Sequence, residues 1–295
     1  MRTNAIVAGV LTWVGLVASG FCQEMSPEDA AKKLLDTLHY QTGTVKIGGD
    51  IATLTLPDSL QYLDPKDART VLVDLWGNVP ETHDTLGMIV PKGVSLIASN
   101  SWAVVITYEE DGHVKDDDAE KINYDKLLAE MKKSTSEESA ERVKKGYEPI
   151  KLVGWGAPPK YDREGKKLYW AQELEFNNNP NHTLNYNIRI LGRKGVLVLN
   201  AIAAQQDLPV IEAATPELLS AVSFNPGNRY ADFDSSTDKI AAYGIAALVA
   251  GGVAAKAGFF KLLWVGILAF KKFIIIGIAA IGGLVAKIFK KNPTA

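Results

Sequence analysis

The chain has a single cysteine, Cys22, among its 295 residues, and its four histidines are scattered singly. With no second cysteine, no disulfide can form, and residues 23–295 have no thiol chemistry. The sequence also lacks an H-E-x-x-H pair, a paired-cysteine metal motif, a glycine-rich phosphate loop and a G-x-S-x-G nucleophile motif. We therefore expect no metal site, no cofactor and no catalytic residue of these classes. Glycosidase-type chemistry stays open, because it needs only two carboxylates.

Acidic residues are absent after Asp238, and this absence divides the charge of the chain. Residues 23–238 hold all 34 acidic residues and 23 basic ones, a net charge of −11, whereas the segment from Lys239 onward holds eight lysines. An acidic domain repels nucleic acid, so we expect no nucleic-acid partner. The basic charge is concentrated where lipid headgroups would lie if the tail enters a membrane.

The amino-terminal 22 residues have the pattern of a secretory signal peptide. Arg2 precedes an apolar stretch from Ala5 to Ala18, and small residues follow it. An uncleaved anchor is the alternative. Lipidation at Cys22 is disfavoured because Phe21 occupies a position that needs a small residue. Under either alternative we expect an exported domain, outside the bacterial cytoplasmic membrane and facing the periplasm or cell exterior.

Apolar runs fill the tail from residue 240 to 291, which we interpret as a membrane anchor. A spanning helix needs about 20 apolar residues. Residues 240–260 and 273–289 reach or approach that length if their lysines extend to the interface, so transmembrane helices are predicted there. The second run could instead lie along the interface. Small residues at four-residue spacing would permit helix–helix association in lipid; they include Gly251, Ala255 and Gly283.

Residues 23–224 read as one exported soluble α+β domain, followed by a juxtamembrane linker at 225–239. Asp64 and Pro65 mark the start of a helix, and two further helices are expected at 124–133 and 137–145. Hairpins are predicted around Gly48–Asp50 and Gly192–Gly195. In the second hairpin, one face is apolar: Leu184, Tyr186, Ile188 and Ile190. Strands grouped with strands favour an antiparallel sheet with packed helices, a sandwich-like fold.

Two loops attract functional interpretations. The acidic connection at 109–120 lacks the spacing of a calcium-binding EF-hand, so we expect a solvated loop. The segment around a predicted Pro-Pro loop is rich in aromatic residues that could recognise a peptide or glycan. Its candidate partner-binding residues are Trp155, Pro158, Pro159, Tyr161 and Trp170. The alternative is that the tryptophans belong to the core.

Several strings together resemble a bacterial family of uncharacterised, predicted membrane-anchored proteins, known only as a domain of unknown function. They include YLDPKDARTVLVDLWGN, GWGAPPKYD, TLNYNIRILGRKGVLVLN and TDKIAAYGIAALVAGGVAAK. The resemblance implies an exported domain with a membrane tail, and it supplies no activity or site residue. More faintly, the late hairpin, the helix and Ser223-Phe224 are similar to small sandwich domains of photosystem accessory proteins and periplasmic lipoproteins.

Two functions follow from these patterns. The favoured one is a membrane-anchored envelope protein whose domain is a non-catalytic module binding an unknown envelope protein or glycan, with the lipid bilayer contacted through the tail. The alternative is a membrane-tethered hydrolase acting on cell-wall material or peptides. A pocket that groups Glu or Asp with His would favour the hydrolase, and an aromatic groove without titratable residues would favour the binding module.

Overall fold

A computed structural model describes residues 27–76, 85–98, 101–144 and 146–251 of the chain. These residues form an α+β fold with antiparallel sheets and several helices, which confirms the predicted fold class for this part of the protein. The helices are α1 (Pro27–Leu35), α2 (Pro65–Thr70), α3 (Tyr124–Lys144), α4 (Leu208–Ala221) and α5 (Ile245–Ala250).

Seven antiparallel strands form the main sheet, in the spatial order β3-β4-β5-β10-β9-β8-β7. Its strands are β3 (Leu60–Leu63), β4 (Gly87–Pro91), β5 (Ala103–Glu109), β7 (Ile150–Asp162), β8 (Lys167–Phe176), β9 (Thr183–Leu191) and β10 (Val196–Ala204). A second sheet has the order β1-β2-β11, from β1 (Thr44–Ile47), β2 (Ala52–Thr55) and β11 (Val222–Phe224). A two-stranded parallel pair joins β6 (His113–Lys115) to β12 (Ile240–Gly244).

The main sheet has a core on each of its two faces. On the first face the small sheet and α4 pack against the apolar residues of β9 and β10, including Leu184, Ile188 and Leu199. On the opposite face α3, α5, β6 and β12 cover the β7–β8 side, and α2 covers the β4–β5 side. Both predicted hairpins are present, because β1 pairs with β2 and β9 pairs with β10.

Local sequence signals explain where α2 begins. The Asp64 carboxylate accepts hydrogen bonds from the backbone N–H groups of Lys66 and Asp67, both at 2.9 Å, and Pro65 takes the first helical position. A π-helical turn, Val71–Leu75, continues the helix, and Val71 and Leu72 are buried. The cap and the proline at the first helical position are those predicted from the sequence.

Helix α3 corrects the prediction of two helices at 124–133 and 137–145. It is one continuous helix of 21 residues. The Ser134 hydroxyl donates a hydrogen bond to Glu138 one turn later, at 3.2 Å, instead of capping a second helix. The buried positions along α3 are mostly polar: Met131, Thr135, Ser139 and Arg142. A helix without an apolar stripe gives a weak sequence signal, which explains the predicted break.

The beginning of the predicted membrane span belongs to the folded domain. Residues 240–244 form β12, beside β6, and α5 follows with Ile245, Leu248 and Val249 buried in the core. Gly251 adopts the left-handed conformation (φ 106°) and ends α5, so the helix does not continue through it as the predicted small-residue stripe requires. No helix among the described residues is long and apolar enough to cross a membrane. Residues 1–22, 252–260 and 273–289, with Ala255 and Gly283, lie outside the described ranges.

The predicted linker, residues 225–239, is also folded onto the domain. Arg193 forms a bidentate ion pair with Asp238, through Nε to Oδ2 at 2.6 Å and Nη2 to Oδ1 at 3.1 Å. The His113 ring stacks on Phe233 with a centroid distance of 4.1 Å, and the Tyr230 ring packs on it at 4.2 Å, tilted by 36°. The segment therefore acts as a structured part of the domain, and it ends only where β12 begins.

Candidate functional site

The aromatic segment predicted to form a loop lies within the edge strand β7. This strand pairs with β8 along its length and contains three shifts of register, between 152 and 160. Pro158 is exposed and Pro159 is buried in this irregular part. Proline lacks the N–H that a regular strand pair requires, so it is tolerated at an edge and at bulges. The Pro-Pro dipeptide thus distorts a strand and does not form a loop.

Three predicted contact residues belong to the core between the main sheet and the elements that cover it, which include α3, α5 and β6. Trp170 is only 1% exposed, and Trp155 is half-buried against the same core. Tyr161 donates its hydroxyl hydrogen to the Asp116 carboxylate at 2.7 Å. The aromatic residues are therefore interior groups, and of the five predicted contacts only Pro158 is exposed. A ligand would reach the tryptophans only by passing between the sheet and these covering elements.

A buried polar stripe runs along the central strand β9 on the same face as the two tryptophans. We use this name for Thr183, Asn185, Asn187 and Arg189. Alternating residues of β9 point to the opposite face and form its apolar core, as the sequence predicted. The pattern would normally leave the polar residues in water. Here both faces are covered, and all four stripe residues are at most 8% exposed.

Four polar atoms in and beside the stripe are buried without a hydrogen-bond partner. They are the indole nitrogens of Trp155 and Trp170, the hydroxyl oxygen of Thr183 and the amide oxygen of Asn185. Each unpaired buried group costs about 1–3 kcal/mol. Native proteins leave few such groups, and a cluster of them needs an explanation, such as a bound ligand or water.

The strand register brings these residues together. Trp155 lies opposite Gln172 of β8, and Gln172 lies opposite Asn185 of β9. Trp170 lies opposite Asn187 in the next row. Directly opposed residues in antiparallel strands have Cβ atoms about 4.5–5.5 Å apart. The stripe and the tryptophans therefore form one continuous patch of donors and acceptors on three neighbouring strands.

A cleft of about 390 Å³ opens beside this patch, between α3 and the edge strand β7. It is lined by Lys132, Ser136, Ser139, Ile150, Lys151, Leu152 and Val153. Leu152 shares a cross-strand row with Leu174, and Leu174 lies opposite Thr183. The cleft therefore opens at the end of the polar stripe where Thr183 lies. Its volume is within the range of small-molecule sites.

Arg189 ends the stripe with a buried charge. Its guanidinium donates hydrogen bonds to the amide oxygens of Asn187 and Asn200, both at 3.2 Å, and it lies 5.1 Å from the Trp170 ring centre. Burial lowers the pKa of Arg189 to about 10. No carboxylate lies within 4.0 Å of it in the described structure, although Glu109 is near enough to raise the Arg189 pKa. Neutral amides thus provide its direct contacts, at the far end of the stripe.

The acidic connection is a structural centre and not the solvated loop predicted from its composition. Asp116 accepts hydrogen bonds from Tyr161, Lys166 and Tyr230 at 2.7, 2.8 and 3.1 Å. Burial raises the pKa of Asp116, but the hydrogen bonds from Lys166 and Tyr161 outweigh it and the pKa is lowered. Asp118 accepts the first backbone N–H groups of α5. These acids, which follow β6, bind β7, the turn before β8, the linker and α5.

His182 and two glutamates form a second titratable group. His182 Nδ1 lies 2.5 Å from Glu173 Oε1, and its Nε2 lies 3.8 Å from Glu175 Oε2. Glu175 also pairs with Lys151 at 2.9 Å. The histidines seemed isolated in the sequence. The signal that could have found this group is the spacing of two glutamates on one face of β8, with His182 just before the neighbouring strand.

The described residues offer no group of three or more His, Cys, Asp or Glu side chains that could hold a metal ion. The buried polar stripe, with the cleft beside it, is the candidate site because it gathers unpaired polar atoms that a ligand could satisfy by hydrogen bonds. Sequence reasoning identified Trp155 and Trp170 but missed Thr183, Asn185, Asn187 and Arg189. A strand that alternates apolar and polar residues cannot reveal whether its polar face is covered.

Comparison with known proteins gives a family and no activity. The model of a family described as "Protein of unknown function (DUF2167)" matches residues 39–282. No curated protein matches the chain. Among solved structures, the solution structure of cyanobacterial PsbP (CyanoP) from Synechocystis sp. PCC 6803 is similar, with 11% sequence identity over 62% of this chain and 91% of that one. Its TM-score is 0.33, which supports no inference about function.

Proposed function

The chain belongs to the DUF2167 family of proteins of unknown function, and we propose that it is a non-catalytic binding protein of the bacterial envelope. In this proposal the domain is exported and the apolar tail holds it at the cytoplasmic membrane. The leader pattern of residues 1–22 and the acid-free, lysine-rich tail support this location. The partner is a cell-wall glycan or a glycan-bearing envelope component.

The unpaired polar atoms beneath α3 are the observation that carries the binding role. Two indole N–H donors, one hydroxyl and one amide oxygen lie on a single face, beside a cleft. A sugar chain presents hydroxyl groups that both donate and accept hydrogen bonds, and its apolar ring faces pack on aromatic rings. Such a ligand would satisfy all four atoms at once. The free-energy cost of leaving these atoms unpaired would then apply only to the ligand-free protein.

A pair of shape-conserving substitutions tests this role. The double variant Thr183→Val, Asn185→Leu replaces unpaired polar atoms by apolar groups of similar size. Because these atoms have no protein partner, the double variant should be as stable as the parent chain or more stable, by up to a few kcal/mol. Binding of soluble cell-wall glycan fragments, measured by isothermal titration calorimetry on the full chain in nanodiscs, should fall at least tenfold.

Thr215→Val is the matched control. Thr215 is also buried, but its hydroxyl donates a hydrogen bond to the carbonyl of Ile211 at 2.8 Å within α4. This variant should lose about 1 kcal/mol of stability and bind glycan fragments as before. Unchanged glycan affinity in the Thr183→Val, Asn185→Leu variant would place the ligand elsewhere. If the parent chain binds no glycan fragment, the proposed ligand class is incorrect.

The His182 group is a specific observation in favour of the alternative, a membrane-tethered hydrolase. Glu173 can orient the imidazole of His182, as a general base requires. In the described structure, however, no serine, threonine or cysteine side chain forms a hydrogen bond to His182, so a hydrolytic step would have to use activated water. Loss of cell-wall hydrolysis in a His182→Gln variant, with the fold retained, would support the hydrolase over the binding module.

A further inference from the structure

A second cleft lies at the opposite end of β9 from the first. Its volume is about 350 Å³. It opens between the turn that precedes β8, the end of β9, the strand β11 and the start of the folded linker. The lining residues are Glu164, Gly165, Lys166, Lys167, Ile190, Leu191, Val222, Ser223, Phe224, Arg229, Tyr230 and Ala231.

The floor of this cleft is apolar. Ile190, Val222 and Phe224 belong to the core between the main sheet and the small sheet, and each is at most 8% exposed. An apolar floor at a surface opening can hold a hydrocarbon group away from water, at about 25 cal/mol for each Å² buried. The cleft can therefore bind more than a simple ion.

The rim of the cleft is basic. Lys166, Lys167 and Arg229 line it, against one acidic residue, Glu164. The Lys167 ammonium donates hydrogen bonds to the carbonyls of Leu219 and Val222. In the described structure no carboxylate lies within 4.0 Å of this ammonium, so Lys167 forms no ion pair there. Burial lowers the pKa of Lys167. A half-buried cation that has only carbonyl partners favours an anion beside it.

The backbone is strained where the rim is formed. Lys166 has a φ of 53°, in the left-handed region that residues other than glycine rarely adopt. Its side chain is held by the Asp116 carboxylate at 2.8 Å and lies 4.7 Å from the Tyr230 ring centre. Successive residues of a regular strand point to opposite faces. The left-handed residue breaks this alternation and lets two consecutive lysines line one cleft.

We propose that this cleft binds a single-chain amphiphile with an anionic head. The head lies between Lys167 and Arg229, and the hydrocarbon chain lies over Ile190, Val222 and Phe224. A carboxylate and a phosphate share the required chemistry, since each is an anion that accepts hydrogen bonds from a guanidinium. The site is independent of the proposed glycan site, because it lies at the other end of β9 and the two clefts share no lining residue.

Photo-crosslinking gives a local readout of this site. The full chain in nanodiscs of neutral phosphatidylcholine is irradiated with octanoate that carries a diazirine at its far end, and crosslinked residues are mapped by mass spectrometry. We expect crosslinks within residues 222–224. Unlabelled octanoate or octyl phosphate should compete, whereas the neutral octanamide should not. The stronger of the two anionic competitors identifies the ligand as a fatty acid or as a lipid phosphate.

Two variants test the charge and the space separately. Arg229→Gln removes an exposed cation without touching the core, and it should weaken competition by octanoate about three- to tenfold. Ala231→Trp enlarges an exposed residue that lines the cleft and should abolish crosslinking at residues 222–224. Lys92→Gln is the control and should change neither result. Lys92 is exposed and follows β4, which lies near the opposite edge of the main sheet from β8.

Three outcomes would overturn the proposal. Equal competition by octanamide and octanoate would show that no anion is recognised. Crosslinks that map only outside the cleft would show that the amphiphile binds elsewhere. Undiminished crosslinking in the Ala231→Trp variant, with its thermal unfolding unchanged, would show that the cleft is not used. None of these results bears on glycan binding beneath α3, which is measured independently.

Discussion

A single hydroxyl group joins helix α3 to the edge strand β7. Ser139 Oγ accepts a hydrogen bond from the backbone N–H of Ile150 at 2.8 Å, and Ser139 is buried. This bond satisfies a backbone donor at the start of β7, beside the candidate glycan cleft that both residues line. The bond thus joins the two elements between which the cleft lies.

Ser139→Ala should destabilise the protein by about 1–3 kcal/mol, because it leaves the buried N–H of Ile150 without an acceptor. Chemical denaturation with circular dichroism measures the change. Ser136→Ala is the matched control on the same helix, since Ser136 is exposed and should change stability by no more than about 0.5 kcal/mol. Equal effects of the two substitutions would show that the hydrogen bond between Ser139 and Ile150 does not stabilise the fold.

The ion pair between Arg193 and Asp238 makes the stability of the domain depend on pH. The hydrogen bond from Arg193 lowers the pKa of Asp238 from 3.8 to about 2. A carboxyl group whose pKa is lower in the folded protein stabilises the fold above its unfolded pKa. Its contribution is lost as the pH falls from about 4 to about 2, through the folded value.

Asp238→Asn should therefore lower the melting temperature at pH 7 and flatten the fall in melting temperature between pH 4 and pH 2. Thermal unfolding of the parent and the variant across this range measures both effects. The matched control is Asp58→Asn, at an exposed aspartate, which should leave the profile of the parent chain unchanged. A variant with the same acid profile as the parent would show that Asp238 does not carry the effect.

At the scale of elements, β12 and α5 complete the core on one face of the main sheet. β12 is paired with β6, and Gly112 fits beside it because a Cβ there would lie 2.7 Å from the carbonyl oxygen of Lys239. Ile245, Leu248 and Val249 of α5 are at most 1% exposed. Asp118 caps α5 although the two are far apart in the sequence. The folded domain therefore extends to Gly251 and does not end at residue 224.

A fragment of residues 27–251 should unfold cooperatively, whereas a fragment of residues 27–238 should not. Each of the three apolar side chains of α5 contributes about 1.5–3 kcal/mol. Their sum approaches the total stability of an ordinary domain, about 5–15 kcal/mol. Calorimetry of the two fragments, and of one that ends at residue 244, measures this dependence. A sharp transition of similar midpoint in all three would contradict it.

At the scale of the whole molecule, an acidic domain of net charge −11 is joined to a tail with eight lysines and no acid. Like charges repel, so this domain should stay clear of an anionic lipid surface while the tail is attracted to it. The arrangement agrees with a domain held near a membrane by its tail. In the proposed function the leader directs export, so the domain would lie on the outer side.

Export can be tested at an exposed residue of the folded domain. In the full chain with Cys22→Ser, the substitution Lys92→Cys places the sole cysteine at an exposed position after β4. A membrane-impermeant maleimide should label this cysteine in intact cells, after the outer membrane is permeabilised. A cytoplasmic protein with an exposed cysteine should be labelled only after lysis. If the cysteine of the Lys92→Cys variant were also labelled only after lysis, export would be disproved.

Local signals determined a large part of this fold. The Asp64 cap, the turn glycines of both hairpins and the apolar alternation of β9 act within a few residues, so the sequence by itself predicted α2, the β1–β2 and β9–β10 pairs and the α+β class. Composition also predicted that the tail is apolar and free of acid. These features do not depend on which distant segments meet.

Long-range packing decided the rest. Whether the polar face of β9 meets water or a helix depends on where α3 lies, and α3 is far away in sequence and has a polar buried side. The apolar residues 240–250 were predicted to begin a membrane span, and only their contact with β6 and Asp118 assigned them to the core. His182 and Glu173 met because β8 and β9 are paired. The candidate site arises from such pairings, since burial is a property of neighbours and not of the residue itself.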